Sequence, residues 1–417
     1  MTLWEKGGGT DPGVLRFSAG EEYLLDSRLV PHDCRASIAH ARMLGSIGVL
    51  TAAEVDALTA GLERIVDLHA AGEFVIAPEQ EDCHTAIEEW LTAEIGEAGE
   101  KIHLGRSRND QVLTALRLWQ KEALAETDRA LEAFRQVLQA RAGDLESVPM
   151  PGYTHWQRAM PTIAGTWLGA FAAAGGEERE ALARTGELID ASPLGTGAGF
   201  GVPVFDLDRE MTARELGFAR IEENPIHAQL TRGKHEAAIL AVLSQISFTL
   251  NRLACDLLLF TTREFGFVTL PEELCTGSSM MPQKRNPDVL ELIRARYSTV
   301  LAREFEVRSL IGNLISGYQR DLGLTKAPLF SAYDTTLGSL KMMRLVVEGM
   351  VVNAEACRAA LTPEVYATEE ANRLVAEGLS FREAYRRVAD RIRAAAETGE
   401  DPDTTGSAPG PDRNGSP

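Results

Sequence analysis

The spacing of proline limits the fold of this chain more than any other feature. Proline is absent from 79–148, 226–270 and 288–327. A proline inside a helix removes a backbone donor and costs about 3 kcal/mol, so each gap can hold long helices. In the second gap Ile239, Leu243, Ile246, Leu250, Leu253, Leu257 and Phe260 recur at alternating spacings of three and four, the seam of a bundle helix. Leu124, Leu131, Phe134 and Leu138 repeat the pattern less completely in the first gap. Alternating strand patterns are scarce. The reading is a mainly α, three-lobed chain with a central bundle of long helices.

Shorter helical segments separated by Gly and Pro predict an N-terminal helical lobe over 1–104, followed by the long-helix bundle over 105–350. Short amphipathic helices then form a C-terminal lobe over 351–396. The remaining acidic, Gly/Pro/Ser-rich stretch, 397–417, has almost no apolar residues to offset the entropy of ordering, which predicts a disordered tail.

The formal charge of −19 disfavours nucleic acid and anionic membranes as partners, so an anionic ligand must meet a locally basic pocket. The most apolar stretch, "ILAVLSQISFTLNRLACDLLLF", carries Arg252 and Asp256, and neither membrane insertion nor secretion is inferred. Five scattered cysteines without CxxC spacing suggest neither a zinc site nor a disulfide framework, and point to a reducing cytoplasm.

Three polar segments interrupt the helical background. "HLGRSRNDQV" sets Arg106, Ser107, Arg108 and Asn109 ahead of a long helix, where free N–H groups and the helix dipole suit a carboxylate or phosphate. The same residues also suit plain capping by Asn109 or Asp110 with two solvated arginines. "MPGYTHWQRAMP" offers Thr154, His155, Gln157 and Arg158; His155 is either a proton carrier or a hydrogen-bonded structural residue. "TGSSMMPQKRNP" combines Gly277, Ser278, Ser279, Lys284, Arg285 and Asn286. It lacks the order of a phosphate-binding loop or a nucleophile elbow, and reads as a connector or as a basic loop carrying a hydroxyl.

These segments carry a resemblance. "GSSMMPQKRNPDVLE" resembles the signature loop of the fumarase/aspartase superfamily, and "GRSRNDQV" with "PGYTHWQRAMP" resembles its argininosuccinate lyase branch. "RLVPHDCRASIAHARML", "EDCHTAIEEWL", "SPLGTGAG" and "TPEVYATEEANRLVAEGLSFREAY" extend the similarity over most of residues 1–395. The resemblance implies a fumarase/aspartase-like fold and a β-elimination that splits argininosuccinate into arginine and fumarate without metal or organic cofactor.

It also implies roles. Ser278 matches the base, Lys284 the ammonium that supports its alkoxide and holds the substrate carboxylate, and Asn286 an added hydrogen bond. His155 matches the histidine on the acid side and Glu291 the carboxylate that pairs with it. Ser107, Arg108 and Asn109 match an anion-binding turn; Thr154 and Gln283 match polar contacts, and His84 an active-site histidine. Tyr318 and Lys326 match the residues that hold the amino-acid end of argininosuccinate. Members are homotetramers with active sites shared between chains.

Departures bear on specificity. Where the branch has serine near the N-terminus, "FSAGEEYLLD" offers Gly20; where it has glutamine after the tyrosine, Gly323 stands. "HAQLTRGKHE" retains only Arg232 of the branch's usual turn. They keep open a lyase acting on another N-substituted aspartate, and a non-catalytic crystallin-like scaffold is the third alternative.

Overall fold

A computed structural model describes residues 11–398. The last helix runs to Thr398, and the rest of the expected tail, 399–417, lies outside the described residues. The structure is mainly α. Five helices longer than twenty residues are Arg108–Asp144, Ala164–Ile189, Lys234–Phe260, Asp288–Leu310 and Lys326–Gly349. They fall where the proline pattern predicts long helices, and also over 164–189 and 326–349, which that argument did not cover.

The chain divides into two compact units, each made of three segments. The first comprises Met1–Glu132, Gly176–Leu250 and Ala295–Leu340; the second comprises Ala133–Gly175, Asn251–Arg294 and Lys341–Pro417. Every change of unit falls inside one of the five long helices.

In the first unit, α1 (Val30–Ser46), α2 (Ala52–Ala70) and α3 (Cys83–Ile95) precede the long helices. A capping box starts α2: Thr51 Oγ1 accepts from Glu54 N at 3.3 Å, and Thr51 N donates to Glu54 Oε2 at 2.8 Å. Gly61 lets α2 approach α3, since a Cβ there would lie 2.7 Å from Leu91 Cδ2. Ala36 and Ala39 of α1 pack with Leu118, Leu194, Ala213, Leu216 and Phe218 in a buried cluster. The small side chains of α1 allow that close packing on one face. Its Asp33, Ser37 and His40 form a buried polar row at helical spacing.

The second unit contains an antiparallel hairpin of β1 (Pro149–Thr154) and β2 (Gln157–Ile163), with a register shift between Pro151 and Tyr153. Tyr153 anchors it to an aromatic cluster, its ring centroid 5.6 Å from Phe265 and 6.4 Å from Phe260. Trp167 joins Phe260 at 5.4 Å and donates Nε1–H to Asp256 at 2.9 Å.

All seven residues of the 239–260 seam are buried within the single chain. The pattern is therefore spent on the intrachain core and carries no weight for assembly. Lys234–Phe260 is the one helix among the described residues that is long and apolar enough to cross a membrane, and its apolar seam faces protein. Leu253, fully buried in the second unit, provides a measure of this core. Leu253→Ala should cost about 2–5 kcal/mol, read as a lowered midpoint in urea unfolding with the slope unchanged.

Candidate active site

The first unit holds a buried ionic cluster assembled from four separated stretches. His84 enters it from the first turn of α3, whose N-cap Asp82 accepts from Thr85 N at 2.9 Å. His84 Nδ1 lies 2.5 Å from Asp33 Oδ2. Gln111 Nε2 donates to both Asp33 oxygens at 3.0 and 3.1 Å. Burial works against the charged form of His84, but Asp33, with Asp82 and Asp26, lifts its pKa above the usual histidine range. Burial likewise pushes Asp33 up, and His84, Arg106 and Gln111 outweigh it and hold the carboxyl below its ordinary value. Both shifts favour the ionised form of the pair.

The "GRSRNDQV" turn is the N-terminus of the helix Arg108–Asp144. Asp110 supports it from below, accepting from Ser107 N at 2.9 Å, Gly195 N at 3.0 Å and Gly197 N at 2.9 Å. One carboxylate thus ties this motif to "SPLGTGAG", although burial pushes its pKa up to about 6. Arg106 turns inward, donating to Ser37 Oγ at 2.9 Å and Ile102 O at 2.8 Å. Arg108 pairs with Asp82 Oδ2 at 3.1 Å and donates to Thr85 Oγ1 at 2.9 Å. Asp110 caps the turn as the plain-capping alternative has it, but both arginines are paired within the protein instead of being simply solvated. Ser107 and Asn109 remain partly accessible at the helix start, Ser107 Oγ accepting from Asn109 N at 3.3 Å.

Lys326 is fully enclosed at the start of its helix. Its Nζ lies 2.5 Å from Asp26 Oδ1 and 2.6 Å from Glu22 Oε1. Burial disfavours the ammonium, but the two carboxylates outweigh it and raise the lysine's pKa. Of the two acids, the more deeply buried Asp26 is raised by desolvation despite Lys326, whereas Lys326 and Arg320 overcome burial and lower Glu22. Asp26 is also near Cys83 and His84, so these three could be taken for metal ligands. Lys326 on Asp26 and Asp33 on His84 already account for the group. Tyr318 lies against the guanidinium of the buried Arg232, 4.9 Å from ring centroid to Cζ.

The second unit carries the proton-transfer candidates. Thr276 and Asn286 close the base of the signature loop with reciprocal backbone bonds of 2.9 and 2.8 Å. Inside that closure Ser278 Oγ accepts from Met281 N at 3.1 Å and Met280 N at 3.4 Å. Asn286 Nδ2 donates to Gly277 O at 3.4 Å, and Arg285 pairs with Glu272. Glu291 lies in the first turn of Asp288–Leu310. Thr154 and Gln157 flank a two-residue turn made by His155 and Trp156, at φ 52° and 62°. Such a turn ordinarily takes Asn-Gly. A bulky tryptophan with positive φ is a strained conformation of the kind found at functional sites.

The structure thus gives His84, Arg108 and Lys326 each a carboxylate partner in the first unit: Asp33, Asp82, and Asp26 with Glu22. It places Ser278, Gln283, Lys284 and Asn286 on one loop in the second, with Glu291 on the helix that follows. Thr154, His155, Gln283, Lys284 and Glu291 are exposed, and no hydrogen bond or ion pair of His155, Lys284 or Glu291 side chains occurs among the described residues. Glu22, Asp26, Asp33 and Asp82 were not singled out in the sequence. A signal was available for Asp33: it leads a polar row with Ser37 and His40 through an alanine-rich helix.

A profile of the family described as Lyase matches residues 13–301. The chain is 45% identical over 389 residues to an argininosuccinate lyase of Thermotoga neapolitana, covering 93% of this chain and 98% of that one. It is 47% identical to one from Sorangium cellulosum, covering 94% and 91%. Among solved structures, an EDDS lyase variant with bound fumarate superposes with a TM-score of 0.78 at 25% identity over 94% of this chain and 78% of that chain. Class II fumarase from Schistosoma mansoni shares the fold, with a TM-score of 0.82 at 15% identity over 93% and 89%.

The His84–Asp33 pair yields a pH-dependent prediction. Asp33→Asn leaves a buried imidazole without its counter-ion and should cost about 3–5 kcal/mol. A raised histidine pKa stabilises the fold fully below the unfolded value and loses that contribution as pH rises through the folded value. The deficit of Asp33→Asn should therefore be larger at pH 6 than at pH 9, measured by urea unfolding at both.

Proposed function

The chain belongs to the argininosuccinate lyase family, and we propose that Ser278, Lys284, His155 and Glu291 carry out its elimination. It is a carbon–nitrogen lyase that converts argininosuccinate into arginine and fumarate, the bond-breaking step of arginine biosynthesis. The near-full-length identity to argininosuccinate lyases carries this reading.

In the reaction, the Ser278 alkoxide takes a proton from the succinyl carbon beside a carboxylate. The electron pair moves into that carboxylate, giving an aci-carboxylate. As the pair returns to form the double bond of fumarate, the C–N bond breaks and its electrons leave with the guanidino nitrogen. That nitrogen takes a proton from the His155 side, with Glu291 as the histidine's partner. Two backbone N–H groups on Ser278 Oγ support the alkoxide, as they would an oxyanion. Lys284, with no intrachain partner among the described residues, is available for the carboxylate on which charge develops, and Asn286 and Gln283 extend the same loop. Thr154 sits beside His155 on the hairpin. Ser107, Arg108 and Asn109 form the anion-binding turn, with His84 behind them. Tyr318 and Lys326 serve the amino-acid end.

The reading includes a homotetramer with shared sites. A carbanionic elimination requires a water-poor pocket, yet Thr154, His155, Gln283, Lys284 and Glu291 are exposed in the single chain. The helix Asp288–Leu310, which starts at the signature loop, also leaves Leu292 55%, Leu301 43% and Phe305 72% exposed. A second copy covering that helix would remove both features. Free cysteines at all five positions support a cytoplasmic setting. All five long helices lie within 108–349, which supports a central bundle over 105–350 between lobes at 1–104 and 351–396.

Ser278→Ala should lower kcat by about three orders of magnitude or more with the circular dichroism spectrum unchanged. Full activity would remove Ser278 as base. Lys284→Met should raise KM and lower kcat together, since the charge acts in both ground and transition states. Mixing and reassociating Ser278→Ala with His155→Ala subunits should restore activity absent from either alone. No recovery, or a monomer by light scattering, would count against sites shared between chains.

A further inference from the structure

The amino-acid end of the site carries a carboxylate that the family resemblance did not anticipate there. Gly20, aligned above with the branch's serine, is exposed, and a Cβ added to it would meet nothing within 4 Å. Two side chains of this segment reach Lys326, the enclosed Asp26 and the partly exposed Glu22. For Glu22, Oε1 lies 2.6 Å from Lys326 Nζ, and Oε2 lies 2.8 Å from Arg320 Nη2. Gly323 borders the same carboxylate: a Cβ there would sit 3.5 Å from Glu22 Oε1 and 3.8 Å from Arg320 Nη1. A longer side chain at 323 would compete with Glu22 for this space.

The charges of Glu22, Asp26, Lys326 and Arg320 balance. A carboxylate arriving at Lys326 would have to displace a fixed one, whereas an ammonium arriving beside Glu22 would meet an oxygen-rich edge. Glu22 remains reachable, with 16% of its side chain exposed, while Asp26 is fully enclosed. A carboxylate on the same end of the substrate has a different cation in reach of Tyr318. Arg232 is buried against that ring, and its Nη1 has no hydrogen-bond partner among the described residues.

We propose that Glu22 is a specificity-determining residue that reads the α-ammonium group of the substrate's amino-acid end, in the space that Gly323 leaves open. The inference rests on the reading that Tyr318 and Lys326 border that end. It assigns Lys326 the task of holding Glu22 and Asp26 in place. Because the α-ammonium is remote from the bond that breaks, Glu22 governs KM and not kcat.

The test compares argininosuccinate with its analogue bearing hydrogen in place of the α-ammonium, using fumarate absorbance and the full-length protein. For the unmodified protein, loss of the ammonium should raise KM about tenfold or more with kcat nearly unchanged. In Glu22→Gln the KM for argininosuccinate should rise by a similar factor, and the two compounds should be bound almost alike. Glu22→Asp, which keeps the carboxylate, should restore most of the discrimination. Equal discrimination by Glu22→Gln, or an effect confined to kcat, would overturn the assignment of Glu22 alone. No turnover of either compound by the unmodified protein would overturn the activity reading, and this proposal with it. A circular dichroism spectrum and melting temperature for each variant separate lost recognition from lost folding.

Discussion

Charge buried without water sets the terms on which the first unit can fold. Asp33 and His84, Asp26 and Lys326, and Arg106 are each withdrawn from solvent, and an isolated ion in such a place would cost several kcal/mol. Each is tolerable only when its partner arrives from elsewhere in the chain. Lys326 and Asp26 are separated by 300 positions, Gln111 and Asp33 by 78, and His84 and Asp33 by 51. The cluster therefore specifies which segments meet. Hydrophobic residues of similar volume could have supplied equal stability, but would not have oriented His84 or turned Arg108 onto Asp82. A fold organised around this cluster builds the proposed ligand-binding region in the same act.

The second unit follows a different logic. Its candidate catalytic side chains are held by local devices: a closed loop base at Thr276 and Asn286, a hairpin pinned by Tyr153, and a strained two-residue turn. These devices position backbone more tightly than side chains. Ser278 Oγ is the exception, since two N–H groups point at it. Lys284, His155 and Glu291 are left available for a substrate or a neighbouring chain. The buried charges of the first unit are neutralised internally, whereas Lys284, His155 and Glu291 of the second stay exposed, as the proposed chemistry needs.

Legibility from sequence followed the range of the interactions. The long helices were readable because proline avoidance and the three-four repeat are local, and the seam from Ile239 to Phe260 is buried as a bundle seam should be. The signature loop was recognisable because its residues are contiguous, and the chemistry proposed for it comes from that resemblance. The hairpin at 149–163 was not, because three prolines and a His-Trp turn conceal strands that tertiary packing through Tyr153 enforces. Glu22 and Asp26 were not readable as members of the ionic cluster for a further reason. A carboxylate's burial depends on a partner dozens or hundreds of positions away, and nothing within its own segment records that partner.

The same separation explains why substitutions in the amino-acid end must be weighed together. Taken singly, a glycine at 323 reads as the loss of a hydrogen-bonding side chain, which would weaken binding by about 0.5–1.5 kcal/mol. In three dimensions the space beside Gly323 is bordered by the Glu22 carboxylate, itself held by Lys326 and Arg320. An acid at 22 requires a cation, and Lys326 supplies it; a side chain at 323 would crowd that acid, and glycine removes the crowding. The glycine and the acid are thus sterically compatible, and on the proposed reading the polar group missing at 323 is replaced from the opposite end of the chain.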